Sequence, residues 1–473
     1  MDIKTAKIKE HFDSVADKRV AYRKSRSYYW NSITRFCNYF LHDDFSVLEI
    51  GCGTGELLSQ VKGRRKVGID ISSQMIANAQ KQFPDIDFYV MDAQEIVIQE
   101  KFDVIIISNL MGWLSDIQKM FHEIKKLCHR QTRIILTHYN YLWEPAIKFA
   151  ELIHIKQKTP DQNWLTRGDV INFLEIEDFD VYRHNQNMLF PFYIPLISWF
   201  LNNFLSRLPF FNLFALNQYV FARPDIRIFE DNPEYSVSVI IPTRNESGNI
   251  ENIILRLPDF GKHLEIIFVE GHSIDDTWEK LQEIQYRYSK EHDIKITRQD
   301  GKGKSDAVRK GFEVATGEIL MILDADLTVP PEDLPKFYEA YVTGKAEFIN
   351  GSRLVYPMEE NAMRFLNVLG NKFFSMSFSW VLEQRIKDTL CGTKVISRKD
   401  YIRLEKNREF FGEFDPFGDF DLLFGAYKLN LKIIDLPICY RERTYGNTNI
   451  SRFRHGFLLL RMLFYSIGKI KFW

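Results

Sequence analysis

Apolar and polar positions alternate along most of the chain in the manner of strands and helices that follow one another. In the first half, stretches with helical periodicity separate short apolar runs, which lie at 46–50, 66–69, 87–90, 104–108 and 133–137. Strands that alternate with helices favour a parallel sheet covered by helices on both faces. We therefore expect a doubly wound α/β fold over about 45–220.

The same alternation resumes in the second half. Its apolar runs lie at 237–241, 264–269, 294–297, 319–323, 348–351 and 432–436. A chain of 473 residues exceeds the size at which one hydrophobic core keeps growing. We predict a first domain at 1–223, a charged linker with two prolines at 224–234, a second α/β domain at 235–450 and a tail at 451–473.

Two segments do not follow the alternation of strands and helices. Residues 188–214 are rich in aromatic side chains but are interrupted by three prolines, and 451–473 combine basic with aromatic residues. Neither is a continuous apolar helix, and a basic, aromatic, amphipathic tail is typical of a membrane surface. We predict that both segments contact a membrane. The alternative is that these segments pack on their own domains or on each other.

Charge and cysteine content argue against several classes of function. The chain has 62 basic and 63 acidic residues, a net charge of -1, so nothing indicates nucleic-acid binding. Its five cysteines form no C-x-x-C pair, which gives no sign of a disulfide framework or a zinc site. The first ten residues are polar, unlike a secretory signal. We expect a cytoplasmic protein, peripheral at the inner face of the membrane.

A glycine-rich turn follows the first strand. Gly51, Gly53 and Gly55 stand at alternate positions after Glu49. Glycines here let the backbone approach a ligand closely, where the next helix offers free N–H groups. The spacing G-x-G-x-G differs from the G-x-G-x-x-G of dinucleotide sites.

This turn resembles motif I of the class I S-adenosylmethionine-dependent methyltransferases, which have a Rossmann-like fold. The resemblance implies that S-adenosylmethionine is the cofactor, that Asp70 binds its ribose, and that Asp92 and Ala93 contact its adenine. In that family, the turn after the strand at 102–109 presents the methyl acceptor. His138 follows the next strand and is a candidate base for a hydroxyl acceptor, although a histidine without a catalytic role is the more common case.

Two aspartates follow the buried strand of the second half. Asp324 and Asp326 are separated by one residue, so their side chains project the same way. Carboxylate oxygens can hold Mg²⁺ or Mn²⁺ on a diphosphate and offset the charge of a departing nucleotide. We predict a metal site at these two residues, although D-x-D alone is a common pattern.

Residues 238–246 and 302–307 resemble the opening strand and the sugar-nucleotide loop of family 2 glycosyltransferases with the GT-A fold. The resemblance implies that a nucleotide-sugar donor is bound by one set of residues: Pro242, Thr243, Asn245, Glu246, Glu270, Lys304, Asp324 and Ala325. The family usually has Val-Asp-Asp-Gly-Ser at the second strand's end, where this chain has 269–273, Val-Glu-Gly-His-Ser. The nucleotide base is therefore left open.

Segments 350–353, 364–371 and 387–394 resemble the acceptor-side motifs of dolichol- and polyprenol-phosphate sugar synthases. The resemblance implies a polyprenyl-phosphate or lipid-linked acceptor, with Arg353, Arg364 and Lys394 on its phosphate. Asp388 is a candidate base or orienting group. The alternative for the cations is ordinary solvated surface pairs.

Together these patterns predict a bifunctional enzyme. The second domain would transfer a sugar with inversion, and the first would methylate a related glycan or lipid-linked sugar. One alternative is a transferase acting on a soluble or growing glycan, with a first domain that binds S-adenosylmethionine without catalysis. A metal-dependent phosphodiesterase is disfavoured because no histidine cluster accompanies the aspartates.

Overall fold

The computed structural model describes residues 3–154, 159–160, 162–229, 233–353, 365–406, 419–438, 441 and 452–472. The chain forms two compact units, Met1–Ile228 and Phe229–Lys471. The division falls inside the stretch predicted as a linker, and the domain limits themselves stay a prediction. Both units have the α/β architecture expected from the alternating pattern.

The first unit contains a seven-stranded sheet in the order β3-β2-β1-β4-β5-β7-β6. Its strands are β1 Ser46–Ile50, β2 Arg65–Asp70, β3 Asp87–Val90, β4 Phe102–Ser108, β5 Cys128–Tyr139, β6 Phe179–Asn187 and β7 Asn217–Pro224. The first five are parallel, whereas β7 is antiparallel to both β5 and β6. The strand order reverses between β1 and β4, which is where ligands bind in open α/β sheets.

Helices flank this sheet. They are α1 Ile3–Ser25, α2 Ser27–Phe40, α3 Glu56–Gln60, α4 Ser73–Gln82, α5 Ile117–Lys126, α6 Glu144–Leu152, α7 Arg167–Ile176, and the short α8 Ile197–Trp199 and α9 Pro209–Asn212. The core is an apolar cluster of strand and helix residues such as Ile105, Ile107 and Phe121, all fully buried. Single turns lie at Met111–Trp113, Tyr141–Trp143, Phe200–Phe204, Leu205–Arg207 and Ile226–Ile228.

The second unit contains another seven-stranded sheet, in the order β10-β9-β8-β11-β13-β12-β14. Its strands are β8 Ser236–Thr243, β9 His263–Glu270, β10 Asp293–Arg298, β11 Ile319–Ile322, β12 Phe348–Ser352, β13 Lys394–Ser397 and β14 Ile433–Pro437. Strand β13 is antiparallel to β11 and β12, and the other pairs are parallel. The carboxyl ends of β8, β9 and β11 therefore meet at one edge.

The helices of this unit are α10 Ile250–Arg256, α11 Thr277–Tyr288, α12 Lys304–Val314, α13 Leu334–Val342, α14 Phe365–Leu382, α15 Arg398–Glu405, α16 Asp419–Lys428 and α17 Arg452–Ser466. A turn at Pro331–Asp333 precedes α13, and one at Ile467–Lys471 follows α17. In the tail, Leu459 and Met462 are buried while Phe457 and Phe464 are exposed. Lys471 Nζ lies 2.6 Å from Glu383 Oε1, so one face of the tail packs within its own unit.

The aromatic segment 188–214 folds as a series of short turns. Asn202 Oδ1 accepts hydrogen bonds from the backbone N–H groups of Leu189 and Phe190, at 2.8 and 2.9 Å, which fixes the start of the segment. Its apolar side chains nevertheless point outward: Leu196 is 82 % exposed, Tyr193 69 % and Trp199 62 %. Among the described helices, none combines the length and apolar composition needed to cross a bilayer.

Candidate active sites

The glycine-rich turn connects β1 to α3. Gly51, Gly53 and Gly55 all have positive φ angles, of 75°, 56° and 80°, which side chains other than glycine rarely adopt. A Cβ at Gly55 would lie 2.7 Å from the Phe88 ring, so close packing requires that glycine. A Cβ at Gly53 would meet nothing within 4 Å, because this glycine borders an open cavity.

The cavity beside this turn has a volume of about 110 Å³. Six of the seven predicted cofactor residues line it: Glu49, Gly51, Gly53, Asp70, Asp92 and Ala93. Gly55 does not, since it packs against Phe88 instead. The cavity lies at the reversal of strand order, so the fold brings the predicted cofactor residues together.

Asp70 organises one wall of this cofactor cavity. Its Oδ2 accepts a hydrogen bond from Gly53 N at 2.8 Å, and its Oδ1 accepts one from Ser72 N at 2.9 Å. Burial raises the pKa of Asp70, although these two hydrogen bonds favour the charged form. Asp92 similarly accepts from Gln94 N at 2.9 Å, which fixes the turn that carries Ala93.

Glu49 lies at the base of the cofactor cavity. It is 1 % exposed, and its Oε2 has no hydrogen-bond partner. Burial raises the pKa of Glu49 to about 8, against the opposing effect of the Arg23 guanidinium. A carboxyl group with this pKa is largely protonated at neutral pH, and a nearby positive charge would favour its ionised form.

Helices α1 and α2 contribute a wall that the sequence analysis missed. Phe12, Arg19, Arg23 and Trp30 all line the cofactor cavity. The Arg23 guanidinium lies 3.8 Å from the centre of the Trp30 ring, and its Nη1 lies 2.6 Å from Glu56 Oε2. No motif marks these residues; the available signal is the basic and aromatic composition of 18–30.

His138 does not line the cofactor cavity. It lies at the end of β5 beside a separate cavity of about 20 Å³, which Asn109, at the end of β4, also lines. His138 Nδ1 lies 3.1 Å from Tyr139 O, while its Nε2 is buried without a partner. Asn109 lines both cavities, so the two cavities adjoin at this residue.

In the second unit, Asp324 and Asp326 follow β11 as predicted. Asp324 Oδ1 lies 2.5 Å from Lys304 Nζ, at the start of α12. Burial alone would raise the pKa of Asp324, but Lys304, then Lys394 and Arg353, outweigh it and hold the pKa below the usual value. The predicted donor-side lysine and two predicted acceptor-side cations therefore act on one carboxylate.

Asp326 is the outer of the two aspartates. Its Oδ1 accepts hydrogen bonds from Thr328 N at 3.1 Å and Thr328 Oγ1 at 2.7 Å. Among the described residues, no three His, Cys, Asp or Glu side chains are grouped to hold an ion. Mg²⁺ sites often use one or two carboxylates together with substrate phosphates. Asp324 and Asp326 therefore fit an ion that is shared with a diphosphate.

The turns after β8 and β9 are tied together. Asn245 N donates to Ser273 Oγ at 3.0 Å, and Asn245 Oδ1 accepts from Ile274 N at 2.9 Å. Glu246 N donates to Thr277 Oγ1 at 3.1 Å, and Glu270 Oε1 accepts from Ser273 N at 2.5 Å. The predicted donor residues Pro242, Thr243, Asn245, Glu246, Glu270, Lys304, Asp324 and Ala325 thus lie on β8, β9 and β11 or on the turns and the helix start at their carboxyl edge.

Asp388 forms a bidentate ion pair with Arg353. The guanidinium binds both carboxylate oxygens, Nε to Oδ2 at 2.7 Å and Nη2 to Oδ1 at 2.8 Å, and Arg353 N adds a bond of 3.0 Å. Lys394 is 1 % exposed and donates to Cys391 O at 2.5 Å. Neither cation is a solvated surface charge. The third predicted phosphate ligand, Arg364, lies outside the described residues.

Two family models match the chain. One, described as glycosyl transferase family 2, matches residues 238–404, and the other, described as methyltransferase domain, matches residues 47–131. The two matched stretches contain the predicted cofactor residues and the predicted donor residues, respectively.

Curated relatives match the second half. A dolichol-phosphate mannosyltransferase of Pyrococcus furiosus is 33% identical over 45% of this chain and 59% of its own length. One of Saccharomyces cerevisiae is 37% identical over 22% of this chain and 40% of its own length. Glycosyltransferase AglJ of Haloferax volcanii is 26% identical over 48% of this chain and 71% of its own length. The chain thus spans only about half the length of the first two relatives.

Solved methyltransferases resemble the chain at low identity. A SAM-dependent methyltransferase of Thermotoga maritima is 12% identical and has a TM-score of 0.36. The match covers 46% of this chain and 99% of the Thermotoga protein. A putative methyltransferase solved with the Haloferax volcanii activator Trm112 is 14% identical, with 46% and 97% covered and a TM-score of 0.36. The two family-model matches lead to one conclusion: the chain contains an N-terminal methyltransferase domain, matched at 47–131, and a C-terminal domain of glycosyl transferase family 2, matched at 238–404.

Proposed function

We propose that the C-terminal domain transfers a sugar, with inversion, from a nucleotide-sugar to a polyprenyl-phosphate or lipid-linked acceptor. The observation that carries this proposal is the ion pair of Lys304 Nζ with Asp324 Oδ1 at 2.5 Å, beside a carboxyl group whose pKa the charges of Lys394 and Arg353 also lower. A site rich in cations beside carboxylates suits two phosphate-bearing substrates and a divalent ion. The names of the first two relatives, dolichol-phosphate mannosyltransferases, support the lipid-phosphate acceptor.

In this proposal Asp324 and Asp326 hold Mg²⁺ or Mn²⁺, which would offset the charge of the departing nucleoside diphosphate. Lys304 Nζ lies 2.5 Å from Asp324 Oδ1 and could instead bind a phosphate oxygen of the donor. Asp388 acts as a positioning residue, since both of its oxygens bind Arg353. A phosphate monoester is largely ionised near neutral pH, so the nucleophile requires little help from a base.

The N-terminal domain would transfer a methyl group from S-adenosylmethionine to a related glycan or lipid-linked sugar. Its cofactor cavity supports this proposal, because six predicted cofactor residues line one space at the reversal of strand order. Glycine backbone and Asp70 would bind the cofactor, and the end of β4 would face the methyl acceptor. Methyl transfer depends mainly on alignment of the acceptor with the sulfonium methyl.

A membrane surface is the proposed location of both reactions. In the aromatic segment 188–214 the one charged side chain, Arg207, is buried, whereas Leu196, Tyr193 and Trp199 are mostly exposed. Aromatic side chains favour the interface between water and lipid. A lipid-borne substrate would then place the protein in the cytoplasm, peripheral at the inner face of the membrane.

The sugar-transfer proposal is tested with purified full chain, Mn²⁺, a short polyprenyl phosphate and a panel of radiolabelled nucleotide-sugars. Label should enter the organic phase with one of the donors, and omission of the polyprenyl phosphate should abolish it. Label that appears only in a water-soluble product would instead identify a soluble or growing glycan as the acceptor. The same panel would identify the nucleotide base.

A further inference from the structure

Two residues that line the small cavity at the carboxyl ends of β4 and β5 each have a buried polar atom without a partner, His138 Nε2 and Asn109 Oδ1. His138 is 6 % exposed, so its Nε2 obtains no compensation from solvent. A buried polar group without a hydrogen bond is unfavourable, so each of these atoms is expected to bond a group that enters the cavity.

The neighbouring hydrogen bonds show whether each of these two atoms is a hydrogen-bond donor or an acceptor. Tyr139 O can only accept, so His138 Nδ1 carries the proton and Nε2 presents a lone pair. Tyr29 OH donates to Asn217 Oδ1 at 3.0 Å and therefore accepts from Asn109 Nδ2 at 3.1 Å. This leaves Asn109 Oδ1 as a second acceptor. Two residues of the cavity lining thus each have an acceptor atom available for a group that enters it.

We propose that this cavity holds the amino group of the methyl acceptor, so that the N-terminal domain methylates nitrogen on an amine-bearing sugar or lipid. A neutral amine has two N–H bonds for His138 Nε2 and Asn109 Oδ1 and one lone pair left for the methyl group. A hydroxyl group has one O–H and would leave one acceptor unsatisfied. The volume of about 20 Å³ admits a group of this size. This inference rests on the proposed methyl transfer.

Methyl transfer to a neutral amine does not require a base to remove a proton before the attack. The nitrogen lone pair forms the new N–C bond, the C–S bond breaks with its electron pair going to sulfur, and the positive charge moves from sulfur to nitrogen. Burial lowers the pKa of His138 to about 4, which suits a hydrogen-bond acceptor. An imidazole of such low basicity is poorly suited to take a proton from a hydroxyl group. His138 is thus a residue that positions the amine.

The test uses lipid and glycan extract from cells that lack this chain and therefore accumulate its unmethylated acceptor. One half of the extract is N-acetylated with acetic anhydride, which blocks amines and spares hydroxyl groups in aqueous bicarbonate. The full chain is then incubated with each half and S-adenosylmethionine labelled in the methyl group. Label should enter the untreated half and fall at least tenfold in the acetylated half.

Equal label in both halves would overturn the amine proposal while methyl transfer itself stands. No label in either half, from protein that binds the cofactor by calorimetry, would mean that methyl transfer has failed, and the amine proposal fails with it. A water held alone by His138 and Asn109 would also predict label in both halves.

Variants add a second measurement. His138→Leu should lower kcat/KM for the untreated extract at least tenfold, and His138→Gln, which keeps an acceptor oxygen, should recover part of this loss. The cofactor dissociation constant should stay unchanged in both, because His138 does not line the cofactor cavity. The exposed His154→Leu is the matched control. Equal losses in the Leu and Gln variants would contradict the positioning role.

Discussion

At the scale of single residues, Glu49 couples cofactor binding to pH. Its pKa of about 8 means that the cavity binds a proton at neutral pH that a cationic ligand would displace. S-adenosylmethionine carries a sulfonium and an ammonium group, so its affinity should rise with pH between 6 and 8, by at most about tenfold per pH unit. Titration calorimetry in buffers of different ionisation enthalpy measures both the affinity and the proton release.

Glu49→Gln is the matched control for this prediction, because Asp70 also has a raised pKa. The variant should show a flatter dependence of affinity on pH. The raised pKa of Glu49 also affects the free energy of unfolding. Its stabilising contribution is fully present below the unfolded pKa of about 4.5 and is lost as the pH rises through about 8. Unfolding midpoints should therefore fall less between pH 5 and 9 in Glu49→Gln than in the wild type. Identical slopes in the two proteins would contradict the assignment.

A second residue-level prediction separates positioning from metal binding. Asp388→Ala should destabilise the protein by about 3–5 kcal/mol, because it leaves the Arg353 guanidinium largely buried without its carboxylate. Asp326→Ala should lower the free energy of unfolding much less, because Asp326 is only partly buried and its carboxylate accepts hydrogen bonds from the neighbouring Thr328. Urea unfolding of the two variants compares them. Equal stabilities would show that the Asp388–Arg353 pair has no structural role.

At the scale of elements, the apolar pattern predicted the parallel strands and missed antiparallel ones. Strand β6 was missed because its sequence is mostly polar and its burial does not alternate, and β13 because it has only four residues. β7 was missed beside the proline-rich aromatic segment. Each of these strands pairs antiparallel with a neighbour, and their positions depend on tertiary contacts that local periodicity does not contain.

The glycine-rich turn gives an element-level prediction in which two similar substitutions have different effects. Gly53→Val should keep the fold and abolish cofactor binding, because its side chain would enter open space in the cofactor cavity. Gly55→Val should instead destabilise the protein, because its Cβ would lie 2.7 Å from the Phe88 ring. Both carry the strain of positive φ, of about 1–2 kcal/mol. Thermal unfolding and cofactor calorimetry on each variant would distinguish the two effects, and unchanged affinity in Gly53→Val would refute its place in the cavity.

The aromatic segment 188–214 should bind lipid through its exposed side chains. Leu196→Ser combined with Trp199→Ser should leave the thermal midpoint nearly unchanged and reduce flotation with vesicles that contain anionic lipid. Ile274→Ser combined with Tyr286→Ser removes apolar groups that are even more exposed, 92 % and 88 %, from the other domain and is the control. Equal flotation of the two double variants would remove the segment from the proposed membrane surface.

At the scale of the whole molecule, the sequence located both sites because each rests on a strand followed by a short motif. Asp70 and Gly53 are close in space because parallel strands end at the same edge, which the order of elements already implies. The wall made by Arg23 and Trp30 could not be predicted, because it depends on how α1 and α2 fold back over that edge. The pairing of Asp388 with Arg353 likewise joins residues 35 positions apart.

If the two domains carry separate reactions, single substitutions should abolish them independently in the full chain. Asp326→Ala should reduce sugar transfer to polyprenyl phosphate at least a hundredfold and leave methyl transfer to the cell extract unchanged, because it removes a proposed ligand of the ion. Gly53→Val should have the opposite effect, since it fills the cofactor cavity alone. Both reactions are measured on the same preparations with doubly labelled substrates. Loss of both activities in either folded variant would contradict the independence of the two reactions.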